Sequence, residues 1–321
     1  MIDFFTGIYS SIQSKNRFLI KIRFYSLLRF IVRNLANVIV PIFLKVSNLF
    51  RTHEIVSKKT STPQLIISLT TFPARINKIW IVIECMLRQT HLPDKIILWL
   101  SKEQFPYPSD LPKSLVKLQK RGLEIVFCDG DLRSHKKYYY ALNSYPDDIL
   151  ITIDDDFIYR TTLINDLVAL HAKHPKAICC DRALIIKTID GEILPYVKWE
   201  PVKKGIGPSF NIFHTSGGGT LYPPKSLSDE VLNKEVFMEY CNYADDVWLN
   251  VMAQVNKTQT VKTDLDTIWL PIFNKGNSML TSINVDEGQN DKQLEDVRSY
   301  YKSKLNVDPL SNVFITYNAT S

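Results

Sequence analysis

The chain has 321 residues, 45% hydrophobic and 22% charged, enough for one large or two ordinary globular domains. Its net charge of +6 belongs to one segment: residues 4–53 carry eight Lys or Arg and no acid, and the remainder is nearly neutral, which argues against a general nucleic-acid groove. Five cysteines with no CxxC or Cys/His metal spacing argue against a disulfide framework and read as reduced core thiols.

The basic segment interleaves Phe, Leu and Ile with Arg17, Lys21, Arg23, Arg29 and Arg33, then runs uncharged from Asn34 to Leu44. That uncharged stretch falls short of the ~18 to 20 residues that crossing a bilayer needs, and no small-residue cleavage site marks a secretory signal. Interfacial helices on an anionic leaflet fit better. The charges do not gather on one helical face, and a helical hairpin packed on the rest of the chain is the competing reading. Residues 1–60 are expected to form a basic amphipathic, membrane-associating unit.

Beyond a polar linker around Lys58 to Pro63, short apolar runs alternate with amphipathic ones. The pattern predicts strands at Leu65 to Leu69, Lys95 to Leu100, Leu123 to Cys128 and Ile149 to Ile153. It predicts helices at Ile76 to Arg88, Pro112 to Lys120 and His135 to Asn143. Such alternation implies a mostly parallel sheet with right-handed crossovers, whose ligands bind beyond the carboxyl ends of the strands. The loops after the first and fourth strands, Thr70 to Arg75 and Asp154 to Asp156, should share that edge. Neither GxGxxG nor GxxxxGK[ST] is present, so a phosphate ligand would be held by side chains and a metal. Farther on, strands are expected at Ala183 to Thr188 and Leu194 to Trp199, with a turn at Asp190-Gly191 and a helix from near Asp245.

Asp154, Asp155 and Asp156 place three carboxylates where a buried strand surfaces. Their mutual repulsion calls for a cation, and Mg²⁺ or Mn²⁺ is the economical one. A solvated acidic turn is the ordinary alternative. Upstream, one of Lys136 and Lys137 is expected to face this edge, with Lys136 preferred, and His135 reads better as a hydrogen-bonding side chain than as a base. Gly217, Gly218 and Gly219 allow backbone to approach a ligand closely. Asp245 and Asp246 open a helix, where acids are also ordinary partners of the dipole.

Ile67 to Arg75, the carboxylate triplet and Ala244 to Leu249 together resemble GT-A-fold, family-2-like bacterial glycosyltransferases of surface-polysaccharide (capsule or O-antigen) biosynthesis, over roughly residues 64–270. The resemblance implies an α/β fold, a Rossmann-like, mostly parallel central sheet with helices on both faces, spanning residues 61–275 and followed by a helical tail at 276–321. It implies a nucleoside-diphosphate sugar donor, a UDP-sugar first, contacted by Thr70, Thr71, Arg75, Lys136, Asp154, Asp155, Gly217, Gly218 and Gly219. Asp154 and Asp156 would hold the divalent metal as a DxD motif. Asp246 would act as general base on a hydroxyl of a glycan or lipid-linked acceptor, oriented by Asp245, with inversion at the anomeric carbon. The expected location is peripheral, on the cytoplasmic face of the inner membrane, with an anionic membrane surface as partner and no nucleic acid. Trp199, Trp248 and Trp269 offer a sugar-stacking platform, although Trp248 reads better as core. The departure from the family pattern is a late histidine as third metal ligand, because the last histidine here is His214. A metal-dependent nucleotidyltransferase or phosphohydrolase, and a non-catalytic membrane-tethered glycan-binding scaffold, remain alternatives.

Overall fold

The computed structural model describes residues 1–12, 16–50, 63–273 and 288–318. Most of the expected linker at Lys58 to Pro63 lies outside them. Three helices come first: α1 (Ile2–Ser11), α2 (Arg17–Lys21) and α3 (Phe24–Asn48). The alternating region follows as β1 (Leu65–Thr70), α4 (Ile79–Met86), β2 (Lys95–Ser101), α5 (Lys113–Val116), β3 (Leu123–Cys128), α6 (Lys136–Ser144) and β4 (Ile149–Ile153). Next are β5 (Phe157–Ile158), α7 (Leu163–Lys173), β6 (Ile178–Cys180), β7 (Ala183–Ile185), β8 (Thr188–Ile189), β9 (Glu192–Ile193), β10 (Glu200–Pro201), β11 (Ile206–Ser209), β12 (Ile212–His214) and β13 (Gly218–Tyr222). The chain continues through α8 (Lys234–Tyr240), α9 (Asp245–Val255), β14 (Thr260–Lys262), β15 (Leu270–Pro271), α10 (Gln289–Leu305) and α11 (Ser311–Asn318).

Eight strands form the central sheet in the order β11-β14-β6-β13-β4-β1-β2-β3. β1 to β4 are mutually parallel, and β6 and β14 run the same way. Only β13 and β11 oppose them. The expected α/β class and mostly parallel sheet are present. From β1 the chain steps outward to β2 and β3, then crosses to β4 on the other flank of β1. The order therefore reverses between β1 and β4, where open α/β sheets form their ligand crevice.

β1 shows why both faces must be covered. Leu65, Ile67 and Leu69 enter one core cluster and Ile66 enters the other, the period-two alternation of a strand buried on both sides. The first cluster takes Ile79, Val82 and Ile83 of α4 and Leu163 and Leu167 of α7. The second takes Tyr138 and Ala141 of α6, Phe237 of α8 and Trp248 and Leu249 of α9.

Both ends of the chain join these cores. Ile2, Phe5 and Tyr9 of α1 and Ala36, Val40 and Leu44 of α3 belong to the first cluster. Leu294, Val297 and Tyr301 of α10 and Val313 of α11 belong to the second. One face of the basic segment is thus packed on the α/β half, as the hairpin reading had it, while α3 is also long and apolar enough to cross a membrane.

Three elements differ from the sequence pattern. The strand expected over Ala183 to Thr188 is broken into β7 and β8, which join different small sheets. The helix expected over Pro112 to Lys120 is one α-turn followed by a 3₁₀ turn over Lys117–Arg121, closed by Gly122 at φ +105°. The strand expected over Leu194 to Trp199 is a 3₁₀ turn at Tyr196–Lys198, stapled by Trp199 Nε1 donating to the Leu194 carbonyl at 2.8 Å.

Candidate active site

The site forms at the reversal point, from the loop after β1, the end of β4, the segment entering β13, and the N-termini of α6 and α9. Gly218 pairs with Ile153, so the glycine segment lies alongside the start of the triplet. The Asp154 N–H donates to the Gly217 carbonyl at 3.2 Å. The Tyr159 hydroxyl accepts from that same N–H at 2.8 Å and donates to the Gly217 carbonyl at 2.6 Å. Tyr159 therefore clips the two loops together.

Each carboxylate of the triplet has its own surroundings. Asp155 is buried and fully engaged: one oxygen accepts from the Thr71 hydroxyl and the other from Arg75 at 2.5 Å. It holds the β1 loop in place through both oxygens. Arg75 reaches on to Asp156 Oδ2 at 3.0 Å, and its pKa is raised: burial opposes its charge, but Asp155 and Asp156 outweigh burial. Asp156 Oδ1 is buried without a hydrogen-bond partner, and the carboxyl is pushed up to about 7 by burial and by the Asp154 charge. Asp154 is the most open of the three and accepts from Lys137 at 2.7 Å.

Lys137 corrects the preference for Lys136. Both are buried at the start of α6, but Lys136 turns to Asp131 whereas Lys137 enters the site, because consecutive residues on a helix point in different directions. The Lys137 ammonium bridges Asp154 and Asp245, the latter at 2.9 Å. Burial works against its charge, yet Asp154, Asp245 and Asp246 raise its pKa well above the ordinary lysine value. Its backbone carbonyl accepts from Ser68 of β1, which also accepts from Trp99 Nε1 at 2.8 Å. The ammonium therefore sits on a fixed base.

Asp245 and Asp246 begin α9, where the helix dipole favours acids. Ser216 binds both: its hydroxyl donates to Asp245 Oδ2 and its N–H to Asp246 Oδ1, each at 2.6 Å. Despite burial, Lys137 holds the Asp245 carboxyl down to about 2. Burial and the Asp245 charge push Asp246 up to about 6. Two adjacent acids thus have widely separated proton affinities. Asn250, one turn later, donates to the carbonyls of Asp246 and His214 and accepts from the His214 N–H, fixing α9 against the glycine segment. Neither Ser216 nor Asn250 stood out in the sequence, since each acts through contacts between distant segments.

The remaining candidates separate. Gly217 faces the triplet, for a Cβ there would lie 1.7 Å from Asp154 Oδ2. A Cβ on Gly218 would instead press on Arg182, and Gly219, at φ +92°, backs onto Leu163 of α7. The Thr70 hydroxyl donates to the Trp99 carbonyl of the neighbouring strand. His135 is buried between the Tyr138 hydroxyl and the Cys241 carbonyl, and burial lowers its pKa to about 4, so it is a structural hydrogen-bonding group. The sugar-stacking platform is not formed: Trp199, Trp248 and Trp269 are all buried, because packing between elements claims their faces. All five cysteines are buried and free.

Five carboxylates, Asp154 to Asp156 with Asp245 and Asp246, face two cations, Arg75 and Lys137, and one buried oxygen of Asp156 lacks a partner. Such an oxygen donor set fits a hard divalent cation. Among the described residues no group of three His, Cys, Asp or Glu closes a full protein ligand set. Two carboxylates with the shell completed by ligand phosphates would match that composition.

Comparison with known proteins finds no matching family model and no matching curated protein. Among solved structures the chain is similar to S. aureus TarS 1–349 in complex with UDP-GlcNAc, at 12% identity and a TM-score of 0.46, covering 68% of this chain and 61% of that one. It therefore spans less than two thirds of that TarS fragment. It is also similar to the mannosyltransferase PcManGT from Pyrobaculum calidifontis in complex with GDP-Man and Mn²⁺, at 13% identity and 0.44, covering 84% and 74%. UTP-bound UGPase from Acinetobacter baumannii matches at 10% identity and 0.39, covering 75% and 94%. Similarity at this level carries no argument about activity.

Proposed function

We propose that this protein is a glycosyltransferase of GT-A type that moves a sugar from a nucleoside-diphosphate donor, a UDP-sugar first, to a hydroxyl of a surface glycan or lipid-linked acceptor. One observation carries the reading: a single buried ammonium, Lys137, joins a carboxylate of the strand-end triplet to the acid pair of α9. Donor-side and acceptor-side acids thereby share one crevice.

In this reading Asp154 and Asp156 hold a divalent cation, which when bound neutralises the diphosphate leaving group. Thr71 and Asp155 fix Arg75, whose guanidinium keeps N–H donors for a phosphate oxygen. Gly217 leaves room for the donor beside Asp154. Asp246 is the general base: its carboxyl, held near 6, is ionised at neutral pH yet still basic enough to take the acceptor hydroxyl proton. Asp245 stays ionised throughout and positions Lys137 and Ser216 beside it. Attack by the activated hydroxyl on the face opposite the leaving diphosphate inverts the anomeric centre.

The test is donor cleavage by the full chain with Mn²⁺, water serving as a slow acceptor. The reading expects release of an intact nucleoside diphosphate and free sugar from one donor. It expects Asp246→Asn to slow release at least ~100-fold while binding persists. Release of a nucleoside monophosphate and sugar phosphate would instead identify a phosphohydrolase, and no cleavage of any donor would end the proposal.

A further inference from the structure

Helix α3 carries two apolar stripes, and among the described residues only one has a partner. Val32, Ala36, Val40 and Leu44, joined by Ile39 and Phe43, pack on the first core. On the far side Phe24, Ile31, Leu35, Val38, Ile42, Val46 and Leu49 are all exposed, at intervals of three, four or seven residues that keep them on one helical face. Phe18, Ile20 and Ile22 on and just after α2 are exposed as well. An uncovered stripe of this length on a soluble surface marks an interaction site.

Polar ties hold the helix sideways against the core. Asn37 donates to the Pro271 carbonyl at 3.0 Å and accepts from the Phe273 N–H at 2.8 Å. Near its other end, Asn48 accepts from Arg88 at 2.6 Å and Arg121 at 3.1 Å, and both arginines pair with the fully buried Glu84. A helix fastened along one side to an ion-paired α/β domain is not free to enter the hydrocarbon end-on. Its free stripe, however, has the geometry of an interfacial helix.

Charge selects the occupant. Residues 4–53 contain eight Lys or Arg and no acid, with Lys21, Arg23 and Lys45 exposed beside the apolar positions. We infer that α2 and α3 lie flat on an anionic lipid bilayer, the outer stripe of α3 entering the acyl boundary while the basic side chains meet lipid headgroups. The contact is linked to the site. Asn37 grips the backbone on either side of Ile272, whose N–H donates to the Asp156 carbonyl at 2.7 Å. Docking therefore brings the triplet's own loop near the membrane, where a lipid-linked acceptor is presented.

The experiment is co-sedimentation of the full chain with vesicles of pure phosphatidylcholine or with added phosphatidylglycerol, at low and high salt. Wild type should bind the anionic vesicles at least ~10-fold more tightly than the neutral ones and release in high salt. Leu35→Glu/Ile42→Glu, both at exposed positions, should lose that binding by a similar factor with an unchanged melting temperature. Val116→Glu, an exposed apolar site elsewhere, should bind as wild type does. If wild type ignores both vesicles, the inference fails. It fails equally if light scattering shows a wild-type dimer that the double variant turns into a monomer without vesicle binding, for the stripe would then be covered by a second copy. Donor binding by the same variants is measured separately, so failure at the membrane is distinguishable from failure of the glycosyltransferase reading.

Discussion

Lys137→Met removes the ammonium that joins the two acid motifs. Nζ lies 2.7 Å from Asp154 Oδ1 and 2.9 Å from Asp245 Oδ2, with side-chain exposures of 3% for Lys137, 40% for Asp154 and 10% for Asp245. Water screens the open Asp154, so that arm contributes at most about 1 kcal/mol. Asp245 is different, since stripping its cation strands a buried carboxylate at a cost of about 3–5 kcal/mol. The second effect dominates. Lys137→Met should lower the unfolding free energy by about 3–5 kcal/mol, read by urea denaturation at pH 7 without divalent metal. Lys137→Met/Asp245→Asn should be less destabilised than the sum of its single variants by at least ~2 kcal/mol, the signature of a direct coupling. The pH dependence follows from Asp245, whose carboxyl is held at about 2 instead of 3.8. A lowered carboxylate pKa contributes stability that is complete above the unfolded value and fades as pH falls through the folded one. In Lys137→Met burial acts on Asp245 without that cation and raises its carboxyl, so the gap between wild type and variant should be widest at pH 7 and narrow as pH falls and the stranded carboxylate takes up its proton. A loss under ~1 kcal/mol, or additive variants, would refute this account of the site's electrostatics.

Further outcomes follow from the same geometry. At saturating Mn²⁺, which keeps Asp156 ionised, the acid limb of kcat/KM should have its midpoint near pH 6, where Asp246 takes up its proton, and a profile flat from pH 5 to 8 would remove Asp246 as base. Asp156, held at about 7 without metal, must lose a proton before it ligates, so Mn²⁺ affinity by calorimetry should fall about tenfold per pH unit below 7 and vanish in Asp156→Asn. Gly217→Ala sets a Cβ 1.7 Å from Asp154 Oδ2 and must displace that carboxylate, so turnover should drop roughly 100-fold while the fold, followed by circular dichroism, persists.

How much of this could be read in the sequence depended on how local the signal was. β1 to β4 stand within a residue of their expected ends, because short, mostly apolar runs rich in Ile, Leu and Val have few alternatives to a buried strand. The loops after β1 and β4 share one edge as the parallel topology required, whereas the Gly217 segment, which enters antiparallel β13, and the α9 acids were implied only by the family resemblance. Choosing between Lys136 and Lys137 was beyond the sequence, for the helix phase that turns Lys137 inward is set by packing of Tyr138 and Ala141. Trp199 and Trp269 misled for a similar reason: residue type supplies an aromatic face, and only tertiary contacts decide whether it is covered. α3 hid its nature because two apolar stripes on one helix overlap in sequence and blur the periodicity of each. Its charges looked scattered until the buried face was known.

The central claim is tested most directly by a thermal-shift panel of nucleoside diphosphates and their sugars with Mn²⁺, Mg²⁺ or EDTA, on the full chain because α1 and α3 are part of its core. A ligand that binds only the folded state at 100 times its Kd adds about 2.7 kcal/mol of stability, so a rise of a few degrees is expected. The account predicts that rise for one nucleotide class, only with metal, lost in Asp156→Asn and kept in Asp246→Asn. No rise with any nucleotide, or equal loss in both variants, would contradict it.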